Sequence, residues 1–348
     1  MPILPCEPLT RYTILGCNRE VVKTLSRGRW SQLLSWRSNL VQMSNRILRR
    51  FDVKLVRSSK GTHHDEIWRP LSDLVEPAPG EPTKPFSAPF LKGLGGSQIA
   101  SLQKPADFAV VMPTVLQPTI TDAIQSVFNQ RFDGAIQLLI GIDTGNSELA
   151  RVEQFCRSVP DRRSVFLLYP GYSTSRRYGG VHAARDGGSL RTVLSYLANS
   201  RYVAYLDDDN WWSEDHLSTM YSVLSAGAEW AYALRWFVHP ASRQPICRDE
   251  WESVGPGAGI FRGWVDPNCL AIDKIACEAV LRWWSIPGPN SVMDADRNVF
   301  HMLSTEYSGA PTNRHSVFYN ITETDAMHPH RLNMIGEPRY HAAGKRSE

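Results

Sequence analysis

The chain has 348 residues, of which 42 % are hydrophobic and 21 % charged, as in an ordinary globular protein with one large domain and an appendage. Its net charge of +3 gives no overall case for a nucleic-acid partner. The six cysteines form no Cys-x-x-Cys pair, which argues against a zinc ribbon or a disulfide framework and favours a reducing, cytoplasmic compartment. No apolar run reaches the ~18 residues of a membrane span.

The first 64 residues are basic, with 12 Lys and Arg against 3 Asp and Glu, a balance of +9. Within them, residues 30–51 carry aliphatic side chains at heptad spacing with arginines between them, which predicts an amphipathic basic helix. Two interpretations stay open for this helix. It lies on an anionic membrane surface, or it docks on the rest of the protein or on a second copy.

Composition divides the chain into four predicted parts. Residues 1–75 form the basic extension with its helix, and a short strand is expected from Phe51 to Val56. Residues 76–104 form a linker, since five prolines and four glycines interrupt helix and sheet there. Residues 105–330 form the main domain, and residues 331–348 form a C-terminal tail.

The main domain alternates between apolar strand patterns and amphipathic helix patterns. Strands are predicted at Phe108–Met112, Ile136–Ile142, Val165–Tyr169 and Tyr202–Leu206. Helices are predicted around Ile120–Phe128 and Leu149–Cys156, and in the second half of His182–Leu197. This alternation predicts an α/β fold with a mostly parallel, right-handed, Rossmann-like central sheet flanked by helices.

The Tyr202–Leu206 strand ends in three consecutive carboxylates, Asp207, Asp208 and Asp209. Like charges this close repel each other, and a hard divalent cation with oxygen ligands is their natural partner. Ser213 is expected to cap the helix that follows. Because open α/β sheets bind ligands at such strand ends, the cluster predicts a site. A solvated acidic turn is the alternative, and for Asp208 simple capping of the turn is an equal one.

With these elements assembled, the segment from Asp107 to about Thr322 resembles the family 2 glycosyltransferases, which have the GT-A fold. The matching elements, in the family's order, are Val110-Val-Met-Pro-Thr114, Ser126-Val-Phe-Asn-Gln130, Ile142-Asp-Thr-Gly-Asn-Ser-Glu148, Ala184-Arg-Asp-Gly-Gly188, Leu206-Asp-Asp-Asp-Asn210, and Asp296 with Phe300 four residues on. The chain departs from the family at Asp143, which is followed by Thr144 where a second aspartate is usual. The resemblance covers about 210 residues and says nothing of residues 1–100.

The resemblance implies inverting, metal-dependent transfer of a sugar from a nucleoside-diphosphate sugar, most simply a UDP-sugar, to a hydroxyl acceptor such as a glycan. Mn²⁺ or Mg²⁺ is the implied cofactor, bound by Asp209 together with Asp207, and it would neutralise charge on the departing pyrophosphate. The implied donor contacts come from Pro113, Thr114, Asp143, Arg185, Asp207 and Asp208. For Asp143 an Asx-turn, and for Arg185 a surface salt bridge, are the competing interpretations.

The late acidic stretch offers two candidates for the catalytic base, Asp296 and Asp294. Asp296 has the family's register with Phe300, and a helix N-terminus would keep it ionised. Asp294 is then an N-cap or an acceptor ligand. Trp211, beside the metal motif, and Trp264 are the candidate acceptor contacts, because aromatic faces stack on sugar rings. Core packing is the competing interpretation for any single tryptophan.

Three other functions stay open. A sugar-phosphate nucleotidyltransferase would share the fold, but it usually has a Gly-rich basic loop where this chain has Thr114 to Thr119. A phosphatase of the haloacid-dehalogenase type also ends a strand in Asp-x-Asp, but normally near the start of its domain. A non-catalytic nucleotide-sugar or glycan-binding protein would bind the donor without turnover.

Overall fold

The computed structural model describes residues 11–14, 55–58, 91–95, 104–144, 149–183, 187–253, 264–286 and 295–345. The chain divides into two compact units, Met1–Lys84 and Pro85–Glu348. In the first unit, strand β1 (Arg11–Ile14) pairs antiparallel with β2 (Leu55–Ser58). The helix predicted for residues 30–51 lies outside the described residues, and so does most of the predicted linker.

A mixed sheet forms the centre of the second unit. Its described strands are β3 (Lys92–Leu94), β4 (Ala106–Thr114), β5 (Ile136–Ile142), β6 (Arg163–Leu168), β7 (Ser200–Tyr205), β8 (Trp211–Trp212), β9 (Trp230–Val238), β10 (Pro245–Arg248), β11 (Leu270–Asp273) and β12 (Gly309–Asn320). They are ordered β3-β6-β5-β4-β7-β11-β9-β12-β8, and β10 pairs with β9. The four strands β6, β5, β4 and β7 are mutually parallel.

Helices cover the sheet. The described ones are α1 (Ile120–Phe128), α2 (Leu149–Phe155), α3 (Gly188–Leu197), α4 (His216–Ser225), α5 (Ala295–Glu306), α6 (His328–Ile335) and α7 (Glu337–Gly344). β5 is buried along its whole length, as a parallel strand covered on both faces must be. The predicted α/β class, with a mostly parallel central sheet flanked by helices, is confirmed.

Two local expectations, one in the linker and one at the start of a helix, differ from the structure. Lys92–Leu94, within the predicted linker, is an edge strand that pairs antiparallel with β6. Helix α4 begins one residue after Asp215, and the hydroxyl of Ser213 donates to the Asp215 carboxylate instead of capping the helix. Among the described residues, no helix is both long and apolar enough to cross a membrane.

The segment expected to be a C-terminal tail forms helices as far as residue 344. Arg331 and Tyr340 are buried, and Tyr340 packs in a small apolar cluster with Phe237 and Ile321. Composition could not indicate this, because the segment is mostly polar and charged. Its burial depends on partners that lie far away in the sequence.

Candidate active site

The candidate site is built at the carboxyl ends of the parallel strands. Thr114 ends β4 and pairs in register with Ile142 of β5, and Val111 of β4 pairs with Tyr205 of β7. The residues that follow these strands therefore meet at one edge of the sheet, where ligands bind in open α/β folds. Asp143 and the three consecutive aspartates lie at this edge.

Both carboxylate oxygens of Asp207 have partners. The Arg191 guanidinium of helix α3 forms an ion pair with Oδ1. The Asn268 amide donates from Nδ2 to Oδ2 at 2.9 Å, and its own Oδ1 accepts the backbone N–H of Asp207 at 2.6 Å. A cation that bound Asp207 would therefore share it with a guanidinium and an amide.

Asp208 points into the protein. It is 7 % exposed and accepts hydrogen bonds from the Thr114 hydroxyl and from the Gln117 backbone N–H. Burial raises the pKa of its carboxyl, the two hydrogen bonds lower it, and the net result is a pKa of about 6. These contacts tie the loop after β4 to the acidic motif, as the alternative of a turn-capping Asp208 requires, and its donor contact stays a prediction.

Asp209 differs from its two neighbours, because no cationic side chain in the described part of the chain pairs with it. It accepts one bond, from the Asn210 amide at 2.7 Å. Burial, with the nearby charges of Asp207 and Asp208, holds the pKa of its carboxyl well above the usual range. A carboxylate in this position fits a hard cation as its missing partner.

The described residues contain no group of three or more His, Cys, Asp or Glu that could hold a metal ion alone. The donor set therefore fits a cation shared between one or two carboxylates and an oxygen-rich ligand, as Mg²⁺ is commonly held with substrate phosphates. It does not fit a structural metal enclosed by protein.

Asp143 lies at the end of β5 and is 2 % exposed. Its Oδ1 accepts from the Thr174 backbone N–H at 2.5 Å, the Thr174 hydroxyl at 3.0 Å and the Ser173 hydroxyl at 3.2 Å. Ser173 and Thr174 also line a cavity of about 520 Å³ that extends to His182 and Ser189. Sequence reasoning missed both hydroxyls, because nothing in the sequence links residue 143 to residue 173.

Pro113 is buried under the start of helix α3. Gly187 there has φ +74°, and a Cβ on it would lie 2.4 Å from the Pro113 Cβ, so only glycine fits. Pro113 thus sets how closely α3, which carries Arg191, approaches the end of β4. Arg185 lies outside the described residues, and its donor contact stays a prediction.

Asp296 lies in the first turn of α5 and accepts the Arg297 backbone N–H at 2.9 Å. Burial raises the pKa of its carboxyl to about 6; Arg297 and Arg191 lower this pKa, and Asp266 raises it. Arg191 also binds Asp207, and Asp266 shares the Asn268 amide with Asp207, so the charges that shift the Asp296 pKa belong to groups around the acidic cluster. Asp294 lies outside the described residues.

The two candidate acceptor tryptophans lie in different places. The Trp264 ring is 5.1 Å from the Arg297 guanidinium, on the side of Asp296. Trp211 instead stacks on Phe318, with Arg243 4.2 Å above its ring. These three line a groove of about 420 Å³ against helix α1.

The neighbour of Trp211 shows which way this strand faces. Trp212 donates from Nε1 to the backbone oxygen of Asn268 at 2.8 Å. Successive side chains of a strand point to opposite faces, so Trp211 points away from Asn268. The structure places Trp264 beside Arg297, the neighbour of the candidate base, and Trp211 at the groove against helix α1, and the acceptor contact of each stays a prediction.

A buried charged network behind the site has no counterpart among the sequence predictions. Arg235 of β9 is 1 % exposed and pairs with Asp249 at 2.7 Å, Glu252 at 2.7 Å and Asp266 at 2.5 Å. Glu252 also pairs with Arg331 of α6 at 2.9 Å. An arginine inside a strongly apolar strand pattern was the one signal that could have indicated it.

No family model and no curated protein matches the chain. Among solved structures, the chain is similar to S. aureus TarS 1-349 in complex with UDP, with 14 % identity, 66 % of this chain and 70 % of that chain covered, and a TM-score of 0.44. It is also similar to the mannosyltransferase PcManGT from Pyrobaculum calidifontis in complex with GDP-Man and Mn²⁺, with 12 % identity, 69 % of each chain covered, and a TM-score of 0.45.

Proposed function

We propose that this protein is an inverting glycosyltransferase of family 2 type that moves a sugar from a nucleoside-diphosphate sugar to a hydroxyl acceptor. A UDP-sugar is the first candidate donor, and a glycan, a lipid-linked sugar or a polysaccharide precursor is the acceptor class. The observation that carries the proposal is that one site combines a carboxylate suited to a cation, Asp209, with a carboxylate suited to act as a base, Asp296. In the described part of the chain no cationic side chain pairs with Asp209, and Asp296, with a pKa of about 6, feels the charges of groups around the same cluster.

Each part of the site has a role in this reaction. Asp143, with Ser173 and Thr174 beside the cavity, would contact the nucleoside. Mn²⁺ or Mg²⁺, when bound by Asp209 with a share of Asp207, would neutralise the diphosphate as it departs. Trp264 would support the acceptor sugar on the side of the base.

Asp296 would take up the proton of the acceptor hydroxyl as the new bond forms. A base is most effective when its pKa lies near the working pH, and a carboxyl with a pKa of about 6 is mostly ionised at pH 7. Attack from the face opposite the diphosphate inverts the anomeric carbon, so an α-linked donor should give a β-glycoside.

The contacts favour this reaction over two of the alternatives. The loop after β4 is occupied, since Gln117 N–H donates to Asp208 and Arg151 donates to the Gln117 carbonyl at 2.7 Å. The Leu116 and Gln117 amides are therefore not free to bind phosphate as the loop of a nucleotidyltransferase does. Asp207, which would be the nucleophile of a dehalogenase-type phosphatase, has both oxygens engaged by Arg191 and Asn268.

A thermal-shift screen tests the proposal. Nucleoside-diphosphate sugars are added with Mn²⁺, and a ligand at 100 times its Kd stabilises the protein by about 2.7 kcal/mol. We expect a shift with at least one UDP- or GDP-sugar, reduced by EDTA. The absence of a shift with every nucleoside diphosphate would contradict the proposal.

A further inference from the structure

Asn268 occupies the point where the acidic motif meets the buried charged network. It is 0 % exposed and lies in a short 3₁₀ helix, Pro267–Cys269, just before β11. Its Nδ2 donates to Asp207 at 2.9 Å and to Asp266 at 2.7 Å, and its Oδ1 accepts from the Asp207 N–H at 2.6 Å. A flipped amide would turn its oxygen towards two carboxylates, so only one orientation is compatible with these partners.

The backbone around this amide is fixed from behind. Asp266 accepts the Asn268 backbone N–H at 2.9 Å, and its other oxygen accepts from Arg235 at 2.5 Å. Trp212 of β8 donates to the Asn268 carbonyl. Asn268 therefore cannot shift without moving β8, or an arginine that already binds three carboxylates.

We propose that Asn268 is a positioning residue for the donor site, an inference that rests on the proposed function. Its amide places two hydrogens between the Asp207 and Asp266 carboxylates, which would otherwise repel each other. It also fixes the Asp207 carboxylate so that Oδ1 faces Arg191. Without it, Asp207 can rotate towards the Asp209 position and change the geometry offered to a cation and a diphosphate.

Two substitutions separate this role from general stability. Asn268→Asp keeps the shape but replaces the donating nitrogen with a charged oxygen, and Asn268→Ala removes the side chain. The matched control is Gln137→Glu. Gln137 is a buried amide at the start of β5, at the end of the parallel strands opposite to the candidate site. Its Oε1 accepts one backbone N–H, from Asn199 at 2.8 Å.

The measurement is the Kd of UDP and of GDP by calorimetry, each with Mn²⁺ and with EDTA, together with the Tm of every variant. Hydrogen bonds to charged groups justify an expected loss of at least about 10-fold in Mn²⁺-dependent affinity for both Asn268 variants. Gln137→Glu should keep the wild-type Kd even if its Tm falls. In steady state the Asn268 defect should appear mainly in the donor KM.

The outcomes separate the inference from the proposed function. Asn268 variants with a lowered Tm but wild-type nucleotide affinity would overturn the positioning role. A wild-type protein that binds nucleotide but neither transfers nor hydrolyses the sugar of any nucleoside-diphosphate sugar would contradict the proposed function alone. The Kd comparison would still decide the role of Asn268. A wild-type protein that binds neither nucleotide would overturn both.

Discussion

At the scale of single residues, the three consecutive aspartates differ in their partners. Asp207 binds Arg191 and Asn268, Asp208 binds Thr114, and Asp209 lacks a cationic partner in the described part of the chain. The sequence predicts the cluster and its place at a strand end. It could not assign these roles, because the partners come from elements tens of residues away.

The first prediction concerns the base. Asp296→Asn should lower kcat by at least about 100-fold with little change in nucleotide affinity. The substitution removes only the group that takes up the proton of the acceptor hydroxyl. Single-turnover rates and calorimetric Kd values would be measured together. Asp161→Asn, at an exposed position before β6, is the matched control and should behave as wild type. A near wild-type rate for Asp296→Asn would remove Asp296 from this role.

The second prediction is a pH dependence. The pKa of Asp296 is raised to about 6, so its carboxylate is ionised above that pH and protonated below it. The rate of the chemical step should therefore be highest above about pH 7 and should fall as the pH drops through about 6. A rate profile that stays level from pH 5 to 8 would contradict the assignment.

At the scale of elements, prediction succeeded where burial is local and continuous. The strands at Phe108, Ile136 and Tyr202 are mainly apolar and lie in the parallel centre of the sheet, so their pattern alone identifies them. The region after Trp230 is harder to predict. Its strands carry inward-facing charges such as Arg235, whose partners only the folded chain brings together.

The third prediction concerns the C-terminal helices. Arg331→Ala would leave Glu252 and Asp325 without this partner, and Arg331 also lies 4.9 Å above the Tyr319 ring. Removing one member of a buried ion pair typically costs about 3–5 kcal/mol. Urea unfolding should show a loss of this size. Arg339→Ala, on the exposed face of α7, should change the free energy of unfolding by less than about 0.5 kcal/mol. Equal effects of the two variants would show that the network does not stabilise the fold.

At the scale of the whole molecule, the proposed site lies within the unit Pro85–Glu348. The structure describes strands β1 and β2 of the basic extension but not its predicted helix, so the membrane role of that helix stays a proposal, as does a cytoplasmic location. The strand β3 shows that this unit begins before the domain start predicted near residue 105, since Lys92–Leu94 pairs with β6. A shortened chain should therefore keep these residues.

The fourth prediction tests the extension. The full chain should sediment with anionic vesicles and be released at high salt, because charges at a surface are screened over about 8 Å at physiological ionic strength. A chain that begins at Pro85 should stay in the supernatant and unfold cooperatively. If the full chain does not sediment with vesicles of any composition, the helix predicted for residues 30–51 is a docking element instead.

The most direct test of the central claim is the release of nucleoside diphosphate from UDP- and GDP-sugars by the purified protein, with Mn²⁺ and with EDTA. The wild-type protein should release nucleoside diphosphate with Mn²⁺, faster when a hydroxyl acceptor is present, and should lose this activity in EDTA. Asp209→Asn should be inactive while its Tm stays close to that of wild type, and Asp161→Asn should be fully active. Activity that is undiminished in EDTA or in Asp209→Asn would contradict the metal assignment, and the absence of release from every donor would contradict the account as a whole.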